Sequence, residues 1–120
     1  MHERMKLITE QGKQILLIDF SHCTAGTVEE IARKIPDYVT TQPLRSVLML
    51  VDFTAATVDE EATRVMKESA VFNKPHVKKS AWIGAVSLPK TVHAEVIKFS
   101  GREMPMFSSK DAAISWLVSD

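Results

Sequence analysis

Residues 15–21 read Ile-Leu-Leu-Ile-Asp-Phe-Ser, and residues 48–54 read Leu-Met-Leu-Val-Asp-Phe-Thr. Each is an apolar run ended by Asp-Phe-hydroxyl, and each leads to a Thr-Val-acid-Glu stretch, TVEE at 27–30 and TVDE at 57–60. Continuous apolar strands, unlike alternating ones, belong to sheets covered on both faces, the condition of a parallel sheet flanked by helices. The echo therefore predicts two βα units of one design. Further apolar runs at 81–86 and, more weakly, 104–107 continue the series at a spacing of roughly 25 to 35 residues, that of repeated βαβ units. The expected fold class is α/β, with about four strand-then-helix units.

Working outward, residues 4–9 form an additional strand, paired antiparallel with the next through a turn at Gln11-Gly12. The first helix is expected to start at Thr27, with Glu30 closing a capping box and Val28, Ile31, Ala32 and Ile35 following at helical spacing until Pro36 kinks or ends it. Thr57 and Glu60 repeat the device for the second helix, which carries Val58, Ala62, Val65, Met66 and Phe72 and stops at Asn73-Lys74-Pro75. Ser87 is the expected cap of a third helix over 88–99, with Gly101 as its left-handed terminator. A last helix over 109–118 is expected to bury Ala113, Trp116 and Leu117.

The 120 residues match one domain, 1–120, with one core; 45% hydrophobic and 25% charged residues are ordinary globular values. A single cysteine, Cys23, excludes an internal disulfide and a cysteine-built zinc site, and fits a reducing, cytoplasmic setting. The charged amino terminus lacks the apolar run of a signal peptide, and no stretch approaches the ~20 apolar residues of a membrane span. Zero net charge gives no general support for nucleic-acid binding. It conceals an asymmetry, since residues 19–61 hold eight acids against three bases and residues 74–102 hold six bases against one acid. Such asymmetry bears on association, or simply solvates different helices.

In open α/β sheets ligands bind at the carboxyl ends of the strands, which places Asp19, Ser21, Asp52 and Thr54 at the candidate ligand or partner site. The alternative is that both aspartates accept hydrogen bonds from their own loops, as in Asx turns. Two strand-end aspartates suit magnesium, but the phosphatase pattern of two aspartates one residue apart fails, because Phe53 and Thr54 follow Asp52. There is no GxxxxGK, GxGxxG or GxSxG, and only four glycines. His22 and Cys23 are adjacent, and adjacent side chains do not face one another as nucleophile and base must. His2, His22, His76 and His93 lack metal-ligand spacing. No enzyme, metal or cofactor is expected. Lys74, His76, Lys78 and Lys79, beside Trp82, form a candidate anion or partner patch, or else a strand start guarded against edge association.

NKPHVKKSAWIGAVSL (73–88) and IKFSGREMPMFSSKDAAISWL (97–117) resemble the SpoIIAA-like family, relatives of the STAS domains of anti-sigma-factor antagonists and sulfate transporters. The resemblance covers nearly the whole chain. It implies a β-α superhelix with a four- to five-stranded, mixed, mostly parallel sheet and about four helices. Such small proteins are also likened to CRAL-TRIO lipid-binding domains. Antagonists of the group carry a phosphorylatable serine in an Asp-Ser-Ser-Gly-like stretch, where this chain reads DFTAATVDEEA (52–62) and offers Thr57 as the nearest candidate phosphoacceptor. Three functions are expected in order: a non-enzymatic binding or regulatory module acting through protein contacts, homodimerisation included; a small-ligand or lipid carrier with Met66, Phe72, Phe99 and Met106 lining an apolar pocket; and a phospho-switch at Thr57.

Overall fold

The structure is a computed structural model describing all residues 1–120. Five strands form one sheet: β1 (Met5–Glu10), β2 (Lys13–Asp19), β3 (Val47–Asp52), β4 (Val77–Ile83) and β5 (Met106–Phe107). Four helices accompany them: α1 (Ala25–Val39), α2 (Glu60–Asn73), α3 (Lys90–Ser100) and α4 (Lys110–Val118). Spatial order equals chain order, with β1 antiparallel to β2 and all later neighbours parallel. The β1–β2 turn has positive φ at both Gln11 and Gly12, the geometry of a tight hairpin connection.

Alternation along the strands divides the apolar residues between two faces. Leu16, Ile18, Met49, Val51 and Trp82 meet α1, α2 and α3 in a cluster of 25 buried residues, while Ile15, Leu48, Leu50, Ala81 and Ile83 meet α4 in a cluster of eight. The larger core thus lies under three helices, and α4 alone covers the other face.

Several helix boundaries differ from expectation. Thr24, not Thr27, caps α1, its hydroxyl accepting from the Thr27 amide. Pro36 does not end the helix, which runs on to Val39: the N–H it lacks falls in the last turn, and its own carbonyl accepts from both the amide and the hydroxyl of Thr40. Asp59, not Thr57, caps α2, accepting from the Ala62 amide at 2.8 Å. Ser87 caps nothing; it sits in a short 3₁₀ turn (Ala85–Ser87), and its hydroxyl donates to the Phe53 and Gly84 carbonyls. Gly101 does terminate α3 in the left-handed region at φ 68°. In α4, Trp116 is only half-buried, and Val118 takes its expected place in the core. β4 begins four residues before the apolar run at 81–86 and ends at Ile83, after which Gly84, with φ 69°, turns the chain out of the sheet.

A bulge at Lys78 sets the side-chain directions in β4, because Val47 pairs with Val77 and Leu48 already pairs with Lys79. Lys79 therefore faces α4. Its ammonium donates to the carbonyls of Trp116 and Ser119 at 2.9 and 2.8 Å and lies 4.9 Å from the Trp116 ring centre. Lys13 donates to the Val118 carbonyl at 2.8 Å. Two lysines thus satisfy the carbonyl end of α4, where helix geometry leaves acceptors unpaired and the dipole is negative.

Candidate functional site

The twin Asp-Phe-hydroxyl segments adopt one backbone. Asp19 and Asp52 are register partners on β2 and β3. Oδ1 of Asp19 accepts from the amide and hydroxyl of Ser21 at 2.9 and 2.5 Å, and Oδ1 of Asp52 accepts from the same groups of Thr54 at 2.9 and 2.6 Å. The next residue in each segment, His22 or Ala55, has positive φ. The parallel ladder runs on through these turns, from the Phe20 amide to the Asp52 carbonyl and from the His22 amide to the Thr54 carbonyl.

Both turns drive a phenylalanine inward. Phe20 and Phe53 are buried and stack with ring centres 5.1 Å apart, and Phe53 continues to Trp82 at 4.5 Å. One carboxylate oxygen of each aspartate therefore serves its own loop. The four residues stand together at the carboxyl ends of β2 and β3, and their turn geometry is the Asx alternative to a ligand role.

Burial works against the charge on Asp19, but the Ser21 hydroxyl and amide, together with Arg4 at 3.3 Å, hold its carboxyl below its ordinary value. A carboxylate lowered in this way stabilises the fold above its unfolded-state pKa of about 4 and loses that contribution as pH falls through the folded value. Asp19→Asn is expected to cost about 1–2 kcal/mol at neutral pH and progressively less below about pH 4. Urea midpoints at several pH values check this, and a gap between the two proteins that ignores pH would refute it.

Thr57 is exposed, and its amide is held by the Cys23 carbonyl. It stands outside α2, whose first amides already face the Asp59 carboxylate and whose first turn adds Glu60 and Glu61. A phosphate on Thr57 would enter an acidic neighbourhood, the reverse of the helix-start advantage expected for it. Cys23 is buried, and burial pushes its thiol above the ordinary range, away from nucleophilic character.

The basic patch divides. Lys79 is committed to α4; the His76 ring bonds the Gln42 carbonyl at 2.7 Å; Lys74 and Lys78 are exposed. The acidic stretch is partly neutralised at the α1–α2 seam, where Arg33 reaches Glu29 and Glu61 and Arg64 pairs with Glu61 and Glu68.

Of the expected pocket residues, only Met66 lines an interior space. Phe72, Phe99 and Met106 are 63, 56 and 54% exposed. The space, about 40 Å³, lies between the sheet and α1–α3, and its polar wall of Ser69, Asn73, Ser80 and Arg102 is not announced by any motif. At this size it is far below the several hundred Å³ of a lipid or drug-sized site. A second, larger cleft of about 570 Å³ opens at the carboxyl end of β4, between the connection to α3 and β5. Gly84, Val86, Pro89, Lys90, His93 and Met106 are among its walls. Val86 is 98% exposed there.

No helix is long and apolar enough to cross a membrane. No family model matches the chain, and no curated protein matches it. Among solved structures, it is similar to an uncharacterized protein of the DUF3478 family with a SpoIIAA-like fold from Shewanella loihica PV-4. The two share 17% identity and a TM-score of 0.71 over 94% of this chain and 91% of that one. With the mixed five-stranded sheet and four helices described above, this likeness establishes that the chain has a SpoIIAA-like fold.

Proposed function

We propose that the chain is a non-enzymatic binding module that engages a protein partner at the cleft beside the carboxyl ends of β4 and β5. One observation carries the proposal: two large apolar side chains, Val86 at 98% and Met106 at 54% exposure, face one cleft. Apolar side chains grouped around a concavity are characteristic of contact surfaces. A segment of the partner lies in this cleft with an apolar side chain seated between Val86 and Met106. Lys90 at the cleft wall favours an acidic residue in that segment.

A photo-crosslinking residue at position 86, used in the host cell, is expected to trap a discrete protein. The same residue at Leu7 on β1 is expected not to, and Met106→Asp is expected to abolish trapping without lowering the melting temperature. Equal trapping at both positions would refute the proposal. So would turnover of a phosphoester or ester library by the purified chain with activity lost in Asp52→Ala.

A further inference from the structure

Arg102 is 8% exposed and has no carboxylate within ion-pairing distance. Its Nη1 donates to the Ala70 carbonyl at 3.3 Å and its Nη2 to the Ser80 hydroxyl at 2.8 Å. A guanidinium carries five N–H donors, so three remain. Ala70 lies in the last turn of α2, whose dipole offers roughly half a negative charge and leaves the rest of the cation uncompensated. Burial alone pushes the Arg102 pKa down to about 10, so the group stays charged at neutral pH.

Asn73 lines the same space, 2% exposed, with its Nδ2 donating to Ser69 and its Oδ1 without any protein partner. Buried polar atoms left this way are rare in native proteins, because each costs about 1–3 kcal/mol. An uncompensated cation and an orphaned acceptor therefore share one cavity whose other walls, apart from Ser69 and Ser80, are apolar, among them Met49, Met66, Trp82 and Met104.

We propose that this cavity binds a small oxyanion bearing one hydroxyl, its carboxylate-type oxygens accepting from Arg102 and its hydroxyl donating to Asn73 Oδ1. The volume of about 40 Å³ admits about three water-sized positions, the size of a hydrogen carbonate or of a short hydroxy acid such as glycolate. An arginine fork matches a planar oxyanion in two-pronged geometry, and the low dielectric among buried walls strengthens each such bond. Flexible Met66 and Met104 supply the give that admission between packed walls requires. The site is separate from the cleft at Val86 and does not depend on its function.

The test is a titration of the full chain with glycolate, hydrogen carbonate, acetate and chloride at constant ionic strength, following the Arg102 Nε–H resonance. Saturable shifts are expected for glycolate or hydrogen carbonate, with acetate, which lacks the hydroxyl, weaker by about tenfold. The saturating anion distinguishes the two sources of the chemistry. Arg102→Leu is expected to abolish the thermal stabilisation by the same anion, and Asn73→Leu to remove its advantage over acetate. The resonance is read in the unmodified chain, so a variant that fails to fold leaves the outcome intact. No saturable shift with either hydroxyl-bearing anion, a chloride response equal to that of the anion that saturates, or a crystal grown with that anion that shows only waters against Arg102 would overturn the proposal.

Discussion

Replacing Gly84 by alanine is expected to cost about 3 kcal/mol or more and to lower the melting temperature by roughly 12 °C. Two effects act together. The backbone at Gly84 has φ 69°, a region that costs a residue with a Cβ about 1–2 kcal/mol. The added Cβ would also stand 2.4 Å from the Thr54 hydroxyl oxygen, 2.5 Å from its amide nitrogen and 2.8 Å from its Cα. Thr54 cannot easily retreat, because its amide and hydroxyl are both bound to Asp52. The strain is thus transmitted to the end of β3. Thermal and urea denaturation measure it, and Gly12→Ala, whose added Cβ meets nothing within 4 Å, isolates the backbone contribution. A loss at Gly84 no larger than at Gly12 would show that the close approach to Thr54 does not matter.

Phe53→Ala is expected to cost about 3–5 kcal/mol, the range for large-to-alanine changes in a core that cannot collapse. Phe53 is 1% exposed and sits between Phe20 and Trp82, so truncation removes two aromatic contacts as well as apolar burial. It also lines the small interior cavity, and the deleted ring would enlarge that space instead of creating an isolated one. Phe53→Leu, which retains most of the volume, is expected to lose appreciably less. Equilibrium urea denaturation of both variants tests the ordering, and equal losses would mean that volume is not what the ring contributes.

The repeated apolar runs and the Asp-Phe-hydroxyl ends were legible because they depend on local sequence alone: an aspartate and a hydroxyl two residues on form their turn wherever the strand ends. The hairpin at Gln11-Gly12 was legible for the same reason. The starts of α1 and α2 were not, because contacts outside each helix decide which residue caps it, whereas the start of α4 at Ser109 was. Thr24 wins at α1 once the His22 turn has delivered the chain in extended form, and Asp59 wins over Thr57, whose amide is drawn to the Cys23 carbonyl of another unit. The commitment of Lys79 to α4 was not legible, because a bulge at Lys78 reverses which way it points, and only pairing with β3 reveals a bulge. The Arg102 cavity gathers groups from α2, β4 and the segment after α3, and nothing in their spacing marks the missing counter-charge.

Because strand order equals chain order, every new strand docks beside the one made just before it. A chain emerging amino-terminus first can add each βα unit to an edge already in place, with no gap held open for a later strand to fill. Assembly of this kind keeps loop-closure entropy low at each step and leaves one growing edge at a time, until the two-residue β5 leaves little ladder for a further strand. Only α4 breaks the sequence of additions by crossing to the opposite face. The back of the sheet therefore stays bare until α4 has been made, an interval in which its exposed apolar face favours association between nascent molecules.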